Sequence, residues 1–229
     1  LQLRFLHFYP SQMKMFEVGT RIRVLGEARH NLFAFEMIHP QCKLVREGDK
    51  LPEALVELGA QISYLKEADI TTENLKGLDA IVVGIRAYNM YAYLSDKQAV
   101  LNEYIANGGN LIVQYLKSNQ VGTQNIKIGP YPFTVNSGRR VTEENAKVTF
   151  VIPNHPVLNF PNKISDQDFN NWVQERGLYF PNIWSKQYQP IFSWNDFNEK
   201  PKKGSLLIAK YGKGYYTYTG ISFFRQLPA

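Results

Sequence analysis

Arg86, Tyr88 and Asn89 follow one apolar run of the chain, and Gln114 and Tyr115 close the next. Ligands of open parallel sheets sit outside the carboxyl ends of the strands, so these side chains would form the floor of a site for a polar ligand. The segment 166–179, DQDFNNWVQERGLY, adds Asp168, Trp172, Glu175 and Arg176, a set of carboxylate, ring and guanidinium that suits a hydroxyl-rich ligand. The same groups would equally form an ion-pair network that anchors loops, and both readings stand. If a pocket forms, Arg86 and Gln114 should share one cavity, with Glu175 or Asp168 approaching Arg86. Asp166, Asp168 and Glu175 also offer the carboxylate pairs used in general acid–base work, a reading that rests on spacing alone.

Other chemistries are excluded by inspection. No GxxxxGK[ST] string occurs, so the loop that cradles nucleotide phosphates is missing. His39 and His155 each precede proline without a following acidic string, and His7 and His30 are isolated, so no metal site or cofactor is expected. The residues after the run 110–113 are Gln114, Tyr115, Leu116 and Lys117, which leaves no nucleophile on the strand-to-helix turn. Cys42, the single cysteine, reads as a small buried side chain, and it leaves the redox compartment unassigned.

The elements that must position these residues show in the periodicity. Leu1 to Phe8, Thr20 to Leu25 and Leu32 to Ile38 read as three strands, broken by Gly19 and by the polar stretch 26–31, with a short helix at Ser11 to Glu17. The chain begins inside a strand, so further residues are expected before Leu1. Pro52 to Leu58 fits a helix closed by Gly59, Gln61 to Leu65 a strand, and Thr72 to Lys76 a helical turn. Ala80 to Gly84 is a continuous β-branched run, as in a strand buried on both faces. Ser95 and Gln98 match a capping box before a helix bearing Leu101, Tyr104 and Ile105, which Gly108 and Gly109 end before a strand at Asn110 to Tyr115. That alternation is the rhythm of a parallel doubly wound sheet. Strands at Val148 to Ile152 and Ile191 to Trp194 follow. A hairpin of Leu206 to Tyr211 and Tyr215 to Ser222 turns on Gly212-Lys213-Gly214.

The 229 residues carry 26 basic and 20 acidic side chains, a net +6 that is spread along the chain. Only Arg4, Lys14, Arg21, Arg23 and Arg29 hint at a basic face. With the aromatics Phe8 and Tyr9 they would suit weak, salt-dependent binding of single-stranded nucleic acid. Apolar residues at 44% allow a real core, and no run reaches the length of a membrane-spanning helix.

Two resemblances cover different parts of the chain. LRFLHFYPSQMK, GTRIRVLGEAR and FAFEMIHPQCKLV, followed by GDKLPEAL, resemble the last strands of the oligonucleotide-binding (OB-fold) wedge domain of RecG-type helicases. GLDAIVVGIRAYN, GGNLIVQY, IGPYPF, RRVTEENA, HPVLNFPNKI, DFNNWVQERGLYFP and YTGISFFRQLPA are similar to the domain that follows the catalytic domain in large bacterial PIG-L (LmbE-like) deacetylases. The first resemblance implies a partial, three-stranded OB-like segment over residues 1–47. The second implies a flavodoxin-like, class I glutamine-amidotransferase-like parallel sheet over 48–229, without the amidotransferase cysteine. Its usual first strand is missing, with 41–46 as the available substitute. Together they suggest a fusion. The function implied is a non-catalytic accessory domain of a zinc-dependent N-acetyl-sugar deacetylase whose catalytic motif lies outside this chain. Such a domain would contact carbohydrate through Arg86, Tyr88, Asn89, Gln114, Tyr115, Asp168, Trp172, Glu175 and Arg176. The alternative is a nucleic-acid-binding remnant using Arg4, Tyr9, Arg21 and Arg23.

Overall fold

The computed structural model describes residues 50–121 and 123–226, preceded by the backbone of short strands between residues 2 and 44. It divides into two compact units, one reaching Ala60 and the other Gln61–Leu227. In the first unit Phe35–Ile38 is the central strand of three, parallel to Gln2–Arg4 and antiparallel to Ala28–His30. The stretch 26–31 thus holds a strand where composition suggested only a break. Its register sets Arg29 opposite Glu36. Ile22–Leu25 pairs antiparallel with Gln41–Leu44, so the described part of the segment 41–46 supplies no strand to a parallel sheet. The helix expected at Ser11 to Glu17 lies outside the described residues.

The helix Lys50–Glu57 begins two residues before the expected Pro52 and belongs to this unit. Its end follows from Gly59, whose φ of +90° lets Ala60 N–H donate to the Leu55 carbonyl and Gly59 N–H to that of Val56.

The second unit is built on a five-stranded sheet in the order Gln189–Pro190, Leu206–Tyr211, Gly214–Thr219, Asn110–Gln114, Ala80–Val83. The last three strands are mutually parallel and the first three antiparallel. The chain therefore has a mixed α/β fold on a mixed sheet, with strands outweighing helices. Gln61–Leu65 does not form the expected strand. Tyr64 is 73% exposed, and Ala80–Val83 is left as the sheet edge. That edge position changes the burial of Ala80–Val83 as well. Ile81 and Val83 are buried while Val82 is 39% exposed, so the strand is covered on one face, not both.

Alternation along Leu206–Tyr211 explains how the sheet centre is buried on both faces. Leu207 and Ala209 join one core with Leu101, Ile105, Leu111, Val113, Tyr216 and Tyr218. Leu206 and Ile208 join the other, with Phe169, Phe180, Phe192 and Trp194. Beside it, Phe192–Trp194 is the middle strand of a small antiparallel sheet with Val148–Phe150 and Lys202–Lys203.

The helix Gln98–Ala106 packs its Leu101, Tyr104 and Ile105 face into the first core, as the spacing predicts. Its start differs from expectation. Ser95 lies in the preceding turn Tyr93–Asp96, and its hydroxyl accepts from Lys127 N–H at 3.1 Å instead of capping the helix. The Gly212-Lys213-Gly214 turn does more than reverse the chain. A Cβ on Gly214 would lie 2.1 Å from the Gly109 carbonyl oxygen, so glycine is needed for the turn to seat on the end of that helix.

Asp196 ties the second core to the loop at Thr142. Burial tends to raise its pKa, but hydrogen bonds from the Thr142 and Glu143 N–H groups and the Thr142 hydroxyl outweigh this and hold it below the usual carboxylate value. Since the folded pKa is depressed, its contribution is present above the unfolded value and is lost as pH falls through the folded one. Asp196→Asn should therefore flatten the fall in the urea midpoint below about pH 4. A parallel acid limb in both proteins would show that Asp196 does not carry it.

Candidate functional site

The carboxyl ends of Ala80–Val83 and Asn110–Gln114 are adjacent, as the parallel register requires. Past the first, Gly84 and Ile85 lead to Arg86, which adopts a left-handed conformation at φ 58°, rare for a side chain with a Cβ. Its N–H donates to the Tyr115 carbonyl at 2.8 Å, and its own carbonyl accepts from Asn89 and Met90 N–H, opening the short helix Ala87–Met90. The backbone is thus clamped while the guanidinium is exposed.

Tyr115 directly follows the strand Asn110–Gln114. Its ring is 5.8 Å from Tyr179 and 5.5 Å from Phe224. The Arg140 guanidinium lies over the Tyr179 ring at 5.8 Å, and Arg140 Nη2 donates to Glu175 Oε2 at 2.8 Å. The other Glu175 oxygen meets Arg225 Nη2 at 3.2 Å, and Arg225 sits over Phe224 at 5.3 Å. The circuit Tyr115, Tyr179, Arg140, Glu175, Arg225, Phe224 therefore closes on itself. The hydrogen bond that Arg140 donates to Glu175 leads the influences on its pKa and raises it, so this guanidinium stays charged.

The predicted residues separate into accessible and engaged groups. Arg86 is exposed, and Gln114, at the end of its strand beside Thr219, is half-buried. Asn89 is a loop anchor: its Nδ2 donates to the Ser118 and Gln120 carbonyls and its Oδ1 accepts from Lys117 N–H. Tyr88 is fully buried, and its hydroxyl donates to Gln98 Oε1 at 2.6 Å, so neither ring nor hydroxyl meets solvent; burial raises its pKa.

Glu175 pairs with Arg140 and Arg225, not with Arg86. Asp168 accepts from the Ser165 N–H and hydroxyl, closing the 3₁₀ turn Asp166–Phe169. Arg176 is 5% exposed, between the Trp172 and Trp194 rings at 5.6 and 5.8 Å, and donates to the Ala146 and Phe169 carbonyls. Burial lowers its pKa. Trp172 is half-buried on Phe169, with its indole N–H donating to the Asp168 carbonyl.

Of the segment 166–179, Glu175 is ion-paired, with Arg140 and Arg225, which residue types alone did not single out. Two clefts, of about 420 and 510 Å³, lie elsewhere, and neither is lined by Arg86 or Gln114. Among the described residues no group of three or more His, Cys, Asp or Glu is placed to hold a metal ion, and no helix is long and apolar enough to cross a membrane. Of the nucleic-acid candidates, Arg4 and Arg23 lie in strands, while Tyr9 and Arg21 lie outside the described residues.

No family model matches the chain, and no curated protein does. Among solved structures it is similar to the cytoplasmic protein STM1381 of Salmonella typhimurium LT2, with a TM-score of 0.52 and 16% identity over 96% of this chain and 87% of that one. The cytoplasmic protein STM3548 of Salmonella typhimurium gives a TM-score of 0.51 at 15% identity over the same shares. At such identities the likeness speaks for the fold alone: a mixed α/β arrangement spanning nearly the whole chain.

Proposed function

We propose that the larger unit is a class I glutamine-amidotransferase-like domain that serves as a non-catalytic accessory domain of a PIG-L-type N-acetyl-sugar deacetylase, contacting carbohydrate at the carboxyl edge of its sheet. One observation carries this reading. The position after Asn110–Gln114 is filled by Tyr115, walled by Tyr179 and Phe224, while the cation beside it, Arg86, is exposed on a clamped backbone. An accessible guanidinium on a clamped backbone, following the strand adjacent to the one that ends in the half-buried Gln114, favours binding sugar hydroxyls over bond-breaking chemistry. Glu175, the one buried carboxylate there, is engaged by two arginines and is not free to move a proton.

N-acetylglucosamine, followed by ¹H–¹⁵N NMR, tests this. Saturable shifts are expected at Arg86, Asn89 and Gln114, lost in Arg86→Ala, with no acetate released. Absence of shifts at this edge, or deacetylation by the chain itself, would sink the reading.

A nucleic-acid-binding role for the smaller unit has one observation in its favour. The pairing of Ile22–Leu25 with Gln41–Leu44 sets Arg23 directly opposite Lys43. Two basic residues at one register position would suit the anionic backbone of a nucleic acid.

A further inference from the structure

The cleft of about 510 Å³ beside the helix Gln98–Ala106 belongs to neither reading above, and hydrogen bonds orient its Ser95, Gln98 and Asn102 side chains. The chain of control starts at the buried Tyr88. Its hydroxyl donates to Gln98 Oε1 at 2.6 Å, which leaves the Gln98 Nε2 group facing the helix. Gln98 Nε2 then donates to Asn102 Oδ1 at 2.9 Å. Gln98 is 3% exposed, so this order is fixed out of reach of solvent. Asn102, which lines the cleft, is left with its Nδ2 hydrogens unpartnered among the described residues, so it presents donors. Asp96, on the same wall, presents acceptors.

The opposite wall is the loop bearing Lys127 and Tyr131. Lys127 N–H donates to Ser95 Oγ at 3.1 Å, which ties the two walls together. The half-buried Tyr131 ring is fixed edge-on against Tyr188 and Tyr211 at 6.0 and 5.7 Å, and its hydroxyl donates to the Lys210 carbonyl. An immobilised ring of this kind gives the apolar face of a sugar a surface to stack on. Asp96 and Lys127 carry opposite charges and do not pair with each other, so the rim has no net charge to select an ion.

We infer that this cleft binds a neutral, polyhydroxylated ring of pyranose size, with one hydroxyl accepting from Asn102 Nδ2 and a neighbour donating to Asp96. The volume exceeds that of one such ring, so a longer chain would extend from it. This inference does not depend on the carboxyl-edge reading, because none of the residues that carry that reading lines the cleft.

N-acetylglucosamine, D-glucose and myo-inositol, with glycine as a zwitterionic control, are titrated against the full chain by ¹H–¹⁵N NMR. At least one neutral ring is expected to give saturable shifts within 95–102 and 126–133. Asn102→Asp keeps the acceptor for Gln98 but removes the donors, and should weaken binding roughly tenfold with little change in melting temperature. Arg86→Ala should leave this binding intact. No saturable shift in those segments, shifts with glycine alone, or equal binding by Asn102→Asp would overturn the inference. If Asn102→Asp unfolds, Asp96→Ala, at an exposed position, decides in its place: unchanged affinity would likewise overturn it.

Discussion

Replacing Trp194 with alanine should lower the unfolding free energy of the protein by about 4 kcal/mol, seen as a fall in the urea midpoint at unchanged slope. The side chain is fully buried, and its ring meets Phe169 at 5.0 Å and Phe192 at 5.6 Å. Its indole N–H donates to the buried Ser205 hydroxyl at 2.7 Å, and the Arg176 guanidinium lies 5.8 Å from the ring. Truncation would leave a cavity the size of an indole, an unpartnered hydroxyl and a buried cation without one of its two aromatic neighbours. Domains of this size are stable by about 5–15 kcal/mol, so the loss is a large share of the total. Trp194→Phe should cost roughly half as much, because the packing is partly kept while the Ser205 partner is lost. An unchanged midpoint in Trp194→Ala would show that the second core is not organised around this ring.

Glu175→Ala is expected to cost about 3 kcal/mol. The carboxylate is 5% exposed and is the only ion-pair partner of Arg140 and Arg225 among the described residues. Removing it leaves two guanidinium groups close together with nothing between them. Arg140, with 44% of its side chain exposed, can turn to water, whereas Arg225, at 23%, is less able to. This asymmetry sets the value at the lower end of what breaking a buried pair costs. The double change Glu175→Ala, Arg225→Met should recover part of the loss, since it removes the stranded charge and keeps an apolar stem on Phe224. Two costs that simply add would mean that Glu175 and Arg225 are not coupled, and the closed circuit around Tyr115 would not hold.

What could be read along the chain is what depends on neighbours in sequence. The Leu101, Tyr104, Ile105 face, the strands at 80–83 and 110–114, the terminal hairpin and the glycine stops after Glu57 and Ala106 all follow from periodicity and from backbone freedom. These signals are local, so no tertiary information is needed to see them. The placement of Arg86 and Gln114 at adjacent strand ends was legible for the same reason, since parallel strands joined by a helix leave little choice of register.

Only the tertiary structure decided which polar groups are free and which are engaged. Tyr88 and Arg86 are two residues apart and equally able to meet a ligand by type, yet one is fully buried and the other exposed. Gln61–Leu65 has the alternation of a strand and no strand partner among the described residues, while the stretch 28–30 pairs because Phe35–Ile38 lies beside it. Glu175 finds Arg140 and Arg225 across gaps of 35 and 50 positions, distances over which no spacing rule reaches. The reason is common to all three. Strand pairing, ion pairing and burial are set by groups distant in sequence, and a single chain read in order carries the identities of those groups but not their proximity.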